Sequence, residues 1–168
     1  NAPFIVREMA EAARKVSVGP MAAVAGAIAE AVGRDLFPFS SEVIIENGGD
    51  IFMKITVTRR VGIYAGDSPL SGKIALEIIP EETPLGIGTS SGTVGHSLSF
   101  GRADAVTVIS RSAALADAAA TAAGNLISDS EDIEKGISFL KGISGVEGAA
   151  IIKGEKLGLW GKLRIIPV

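Results

Sequence analysis

Asp117 and Thr121 stand four residues apart in the run Ala116-Asp117-Ala118-Ala119-Ala120-Thr121-Ala122, so on a helix their oxygens share one face. Every other residue of that run is alanine. A carboxylate in so smooth an apolar helix is costly to bury unless it is paired or holds a cation. Carboxylate plus hydroxyl is hard-oxygen chemistry, suited to Mg2+ with phosphate and water completing the shell, and it also makes Asp117 a candidate catalytic residue. The same spacing serves an amphipathic helix that turns Asp117 to solvent, and the residues leave both readings open. A second carboxylate ends Asn47-Gly48-Gly49-Asp50. There Gly48 and Gly49 can turn backbone amides toward an anion while Asp50 bonds a ligand hydroxyl or steadies the turn. The tetrapeptide is equally an ordinary hairpin turn.

Residues 86–97 read Gly-Ile-Gly-Thr-Ser-Ser-Gly-Thr-Val-Gly-His-Ser. Small side chains and hydroxyls at Thr89, Ser90, Ser91, Gly92 and Thr93 make a loop that can fold its amides around phosphate oxygens. It lacks the Gly-Lys-Ser/Thr ending of a nucleoside-triphosphate loop and opens no long helix, so neither a Walker nor a Rossmann site is expected. A flexible surface loop is the alternative. His96, the sole histidine, is either a catalytic base or a structural hydrogen-bonder; a triad needs partners that spacing alone does not supply.

The elements that must carry these residues follow from periodicity. Asn1-Ala2-Pro3 starts a helix that Gly19-Pro20 stops, and a second helix of very small side chains covers residues 21–32, able to approach another backbone or a ligand closely. Residues 42–46 and 50–58 read as strands joined by the Asn-Gly-Gly turn, the second with Ile51, Met53, Ile55 and Val57 on one face. Arg59-Arg60 bends the chain into a strand over 61–65, and further strands are expected at 73–79, 85–88 and 105–110. Ser112 caps a helix running to residue 126, and acidic residues open a last helix over 131–141. A hairpin of 146–152 with 157–166 closes the chain. Grouped strands and paired helices predict an α+β fold with a largely antiparallel sheet and helices packed against it, as a single domain over 1–168.

Composition narrows the function classes. The chain of 168 residues carries 16 basic and 19 acidic side chains, a net charge of −3. No Lys/Arg stripe meets phosphates, so neither a nucleic-acid nor an anionic-membrane partner is expected. With no cysteine, disulfides, thiolate metal sites and cysteine nucleophiles are excluded, which suits a reducing cytoplasm. No apolar run reaches the roughly 18 residues of a spanning helix. The first residue is Asn and no signal-peptide pattern follows it, so the chain reads as processed, trimmed or a fragment of something longer.

Taken in order, the small-residue helix, the strand leading to Gly48-Gly49-Asp50, the Thr-Ser-Gly loop at 89–92, His96 and the Ala-Asp-x-x-x-Thr-Ala helix resemble the ApbE-type FAD:protein FMN transferases. The likeness extends over nearly the whole chain and is closer still to a branch of that superfamily in which Gly-Pro-Met-Ala-Ala-Val-Ala-Gly and Glu-Asn-Gly-Gly-Asp recur and no activity is implied. The resemblance implies an α+β fold, Mg2+ held by Asp117, Thr121 and a carbonyl near residues 19–22, and FAD or FMN with its phosphates against the Gly/Ser/Thr cradle. It also implies an N-terminal segment that helps to form the flavin site. Two features of the transferases are missing: residues 27–30 supply no Lys-Gly pair, and His96 is followed by Ser97-Leu98-Ser99 rather than a His-x-x-Asp-Pro segment. Three functions therefore fit the sequence. They are a binding module for a flavin or other phosphorylated small molecule with Mg2+, an active transferase, and a structural domain that acts by homo-oligomerisation.

Overall fold

A computed structural model describes residues 2–94 and 99–168. Helix α1 (Phe4–Lys15) is followed by a 3-10 turn, Pro20–Ala23, and helix α2 (Val24–Leu36). Strands β1 (Val43–Asn47), β2 (Asp50–Lys54), β3 (Arg59–Gly62), β4 (Ile74–Ile78), β5 (Leu85–Ser90) and β6 (Ala105–Ser110) then lead to α3 (Ala113–Gly124) and α4 (Ile133–Lys141). Strands β7 (Val146–Lys153), β8 (Lys156–Gly161) and β9 (Ile165–Pro167) end the chain. All pairings are antiparallel, in a six-stranded sheet of order β1-β2-β5-β6-β7-β8 and a three-stranded sheet of order β3-β4-β9. The expected α+β class and antiparallel pairing are both present.

The large sheet is covered on both faces, which is why its central strand β6 is buried at every residue rather than at alternate ones. Along β6, Val106 and Val108 point into a core shared with α1, α3 and α4, while Ala105 and Ile109 point into a second core against the small sheet. The layers run helices, six strands, three strands. Phe52 of β2 completes the helix side with Ala29 and Ala113 and stacks on Phe37 at 5.8 Å between ring centroids.

Several boundaries differ from the expected ones, each for a local reason. Pro3 is the N-cap of α1 and Asn1 lies outside the described residues; a 3-10 turn starts the second helical segment, which then runs four residues past Val32. The expected strand over 50–58 is β2 alone: the sheet lets go after Lys54, and Val57 is exposed. The chain then crosses to the small sheet at Arg59. Strand β5 runs to Ser90 rather than Gly88, because its glycines are sites of helix contact and not of loop formation. The last expected strand divides. Gly161, at φ +85°, turns the chain out of the hairpin so that β9 joins β4 in the other sheet.

Gly26, Gly86 and Gly88 set the distance between layers. A Cβ on Gly86 or Gly88 would overlap the backbone of Ala113 or Ala116, and one on Gly26 would overlap the Ala113 carbonyl. Helix α3 therefore lies almost backbone to backbone on β5 and α2, closer than any branched side chain would allow. Among the described residues no single helix is long and apolar enough to cross a membrane, and α1 stands at 105° to the segment 20–36.

Candidate functional site

A cleft of about 1030 Å³ opens beside this three-way contact, lined by the start of α2, the β1–β2 hairpin, the end of β3 and of β5, and α3. Its size lies at the upper end of what small-molecule sites show. Asp117 and Thr121 both face it, as their spacing on α3 requires. Asp117 is 8% exposed, so the solvent-facing alternative is excluded. Its Oδ2 accepts the Gly26 N–H of α2 at 3.0 Å.

Asp50 reaches the same cleft from the first residue of β2, 6% exposed. The Asn47↔Asp50 register closes a two-residue hairpin over Gly48 and Gly49, both at positive φ, 65° and 102°, where glycine is the residue of least strain. Asp50 Oδ1 accepts the Thr89 N–H of β5 at 3.0 Å. Burial pushes the Asp50 carboxyl up to about 8, reinforced by the Asp117 charge, and partly opposed by the Thr89 amide. Burial also raises Asp117, to about 6, against the pull of the Gly26 and Ala25 amides. Two acids thus share a poorly solvated space, each with one oxygen tied to a backbone amide.

Of the other expected binding residues, Gly48, Gly49, Thr89, Ser90 and Ser91 line the cleft, whereas Gly92 and Thr93 are not among the lining residues. Thr89 and Ser90 belong to a strand rather than a loop. Gly92 donates its N–H to the Ala103 carbonyl at 2.8 Å, and the Thr93 hydroxyl donates to Asp104 at 3.2 Å. Amides expected to cradle phosphate are also already engaged. Gly49 N–H donates to Glu46 Oε1 at 2.7 Å, and the Thr93 and Val94 N–H groups donate to Ser91 Oγ at 3.1 and 3.0 Å. His96 lies outside the described residues.

Five residues escape sequence reasoning. Glu30 of α2 accepts the Ala113 N–H at 2.7 Å, so a side chain 83 positions away holds the first amide of the helix that carries Asp117. Arg34 holds Glu30 at 2.7 Å and lies over the Phe52 ring, 5.2 Å from its centroid. Glu46 adds a third acid to the cleft wall, and Met21 and Tyr64, 71% and 66% exposed, give its rim apolar surface. Nothing in the sequence singles them out: Glu30 and Arg34 read as an ordinary i, i+4 ion pair within α2, and Met21, Glu46 and Tyr64 as polar or large residues near glycines.

The family described as AbpE bacteria matches residues 1–138. The chain belongs to that family. It is an ApbE-like branch that also holds the UPF0280 proteins of Methanospirillum hungatei and Methanocella arvoryzae. These are 51% and 48% identical over 164 residues each, covering 96% and 97% of this chain. The ApbE-like chain spans 65% and 66% of the length of those relatives. Among solved structures, the apo flavinyl transferase ApbE of Pseudomonas stutzeri superposes with a TM-score of 0.57 at 18% identity, over 86% of this chain and 49% of that one. The flavin transferase ApbE from Vibrio cholerae gives 0.58 at 18%, over 86% and 50%. Identities so low speak for a common fold.

Proposed function

We propose that the cleft binds a flavin or another phosphorylated small molecule together with Mg2+, as a binding site rather than a site of turnover. The observation that carries this reading is the convergence of Asp117, Thr121 and Asp50 in one cleft, with both carboxyls raised by burial. A divalent cation beside two crowded acids favours their ionised forms and relieves the repulsion between them.

The residues fit such an ion. No group of three His, Cys, Asp or Glu side chains converges as a metal cage among the described residues. Mg2+ needs none, since it keeps water and takes one or two carboxylates plus phosphate oxygens. Asp117 and Thr121 would hold the cation, with Asp50 available across the cleft, and the cation would neutralise a diphosphate. The apolar rim at Met21 and Tyr64 suits a planar ring on the same ligand. The fold shared with flavin transferases supports the flavin, while the absence of the Lys-Gly and His-x-x-Asp-Pro features favours binding over transfer.

A thermal-shift titration with FAD and FMN, each with and without Mg2+, tests the reading. Saturation at 100 times the Kd adds about 2.7 kcal/mol, a rise of roughly 5–10 °C for a domain of this size. A Mg2+-dependent rise that Asp117→Ala abolishes supports it. Equal melting temperatures in all four conditions reject it.

A further inference from the structure

The wall of the cleft has an uneven charge. Glu46, Asp50 and Asp117 line it, and no lysine or arginine does among the described residues. Residues 95–98, Gly-His-Ser-Leu, contain no lysine or arginine either. Such a wall repels an anionic ligand unless a cation comes with it. Of the three acids, Asp50 and Asp117 are buried and anchored to the amides of other elements, whereas Glu46 is exposed on edge strand β1. Its carboxylate folds across the turn onto Gly49 N–H at 2.7 Å. A carboxylate there occupies the position in which an anionic ligand oxygen would meet the glycine turn.

We infer that Glu46 is a displaceable stand-in for the ligand's anionic group, and so a specificity-determining residue. It satisfies the Gly49 amide and must swing out when a phosphate ester or diphosphate enters. The inference rests on the phosphate-binding reading above. Removing the Glu46 charge lowers the repulsion felt by the phosphate; removing the side chain also frees the Gly49 donor. Neither change touches the Asp117–Thr121 pair. The exposed side chain rotates without disturbing the core, so the exchange needs no backbone movement.

Isothermal titration with pyrophosphate and with FMN, each in saturating Mg2+, tests this on the wild type, Glu46→Gln and Glu46→Ala. The glutamine variant keeps an acceptor for Gly49, and urea midpoints verify that each variant is folded. Glu46→Gln is expected to bind both probes about threefold tighter than wild type, and Glu46→Ala about fivefold or more, the size expected for one like charge removed at the edge of a partly solvated cleft. In the wild type, the Gly49 amide resonance is expected to shift when pyrophosphate binds. If the wild type binds but neither variant binds more tightly, Glu46 is only a brace of the hairpin and the inference falls alone. If no protein binds either probe with Mg2+, the phosphate-binding reading falls, and this inference with it.

Discussion

Asp117→Asn should make the ligand-free protein more stable while removing its response to Mg2+. The carboxyl is raised from 3.8 to about 6 on folding, and two pKa units correspond to roughly 3 kcal/mol held against the ionised folded state at pH 8. Asparagine is nearly isosteric, and its Oδ1 can still accept the Gly26 N–H. That figure is already net of the Gly26 and Ala25 amides that favour the charged form. The gain is therefore about 3 kcal/mol, or roughly 6–12 °C in melting temperature. The sign can be checked against pH. Because folding raises this pKa, the penalty is complete above the folded value and vanishes once both states are protonated, near pH 4 and below. The advantage of the variant should therefore be full at pH 8 and shrink toward zero by pH 4. Scanning calorimetry at both pH values, followed by a Mg2+ titration at pH 8, provides the assay. A variant less stable than wild type at pH 8, or a gain equally large at pH 4, would refute the account of Asp117 as a buried, repelled carboxylate. A variant that keeps the Mg2+ shift would remove Asp117 from the metal site.

The remaining expectations concern the frame around the acids. Wild-type stability, read from urea midpoints, should fall as pH rises from about 4 to about 8, because folding raises both Asp50 and Asp117; a flat profile across that window counts against the acid pair. Gly26→Ala and Gly88→Ala should each cost about 3 kcal/mol or prevent folding, since the added methyl meets backbone that has no side chain to move aside. Near-normal urea midpoints would mean that α3 can lift off β5. Glu30→Ala leaves the Ala113 amide without its carboxylate and should cost about 1–3 kcal/mol, measured by the same method. Ser17, at φ +59°, follows α1 in the left-handed region, so Ser17→Gly should stabilise by about 0.5–1 kcal/mol, and a loss would show that its side chain matters more than its backbone.

Sequence reading reached the local signals and stopped where contacts become long-range. Asn47-Gly48-Gly49 gave a turn because positive φ is a property of those residues themselves. Ser112 gave a cap, and its side chain does accept the Leu115 N–H. The pairing of Asp117 with Thr121 was legible because helical spacing is fixed. Gly86 and Gly88 misled, since the same lack of a side chain that suits a loop also lets a helix lie against a strand, and only the helix position distinguishes them. Glu30 and Glu46 were not visible. The partner of the first lies 83 residues away, and the second matters because no lysine or arginine lines the cleft around it among the described residues. That Asp50 and Asp117 face each other also depends on the sheet order β1-β2-β5, which periodicity cannot supply.

The contact of α3 with Gly86 and Gly88 has a consequence for how this protein can change over generations. In most cores a layer of side chains separates helix from strand, and its rotamers absorb small errors like a gasket. Here that layer is absent, and the two backbones bear directly on each other. The spacing between the acids of β2 and α3 is then a property of the main chain, and no substitution in the core can adjust it by a fraction of a residue's volume. Drift that enlarges any one of these small residues shifts the cleft and loosens the fold in the same step. Gly86, Gly88, Ala113 and Ala116 therefore have little neutral sequence space, and innovation in this architecture is left to the rim, where Met21, Glu46 and Tyr64 can vary without moving the frame.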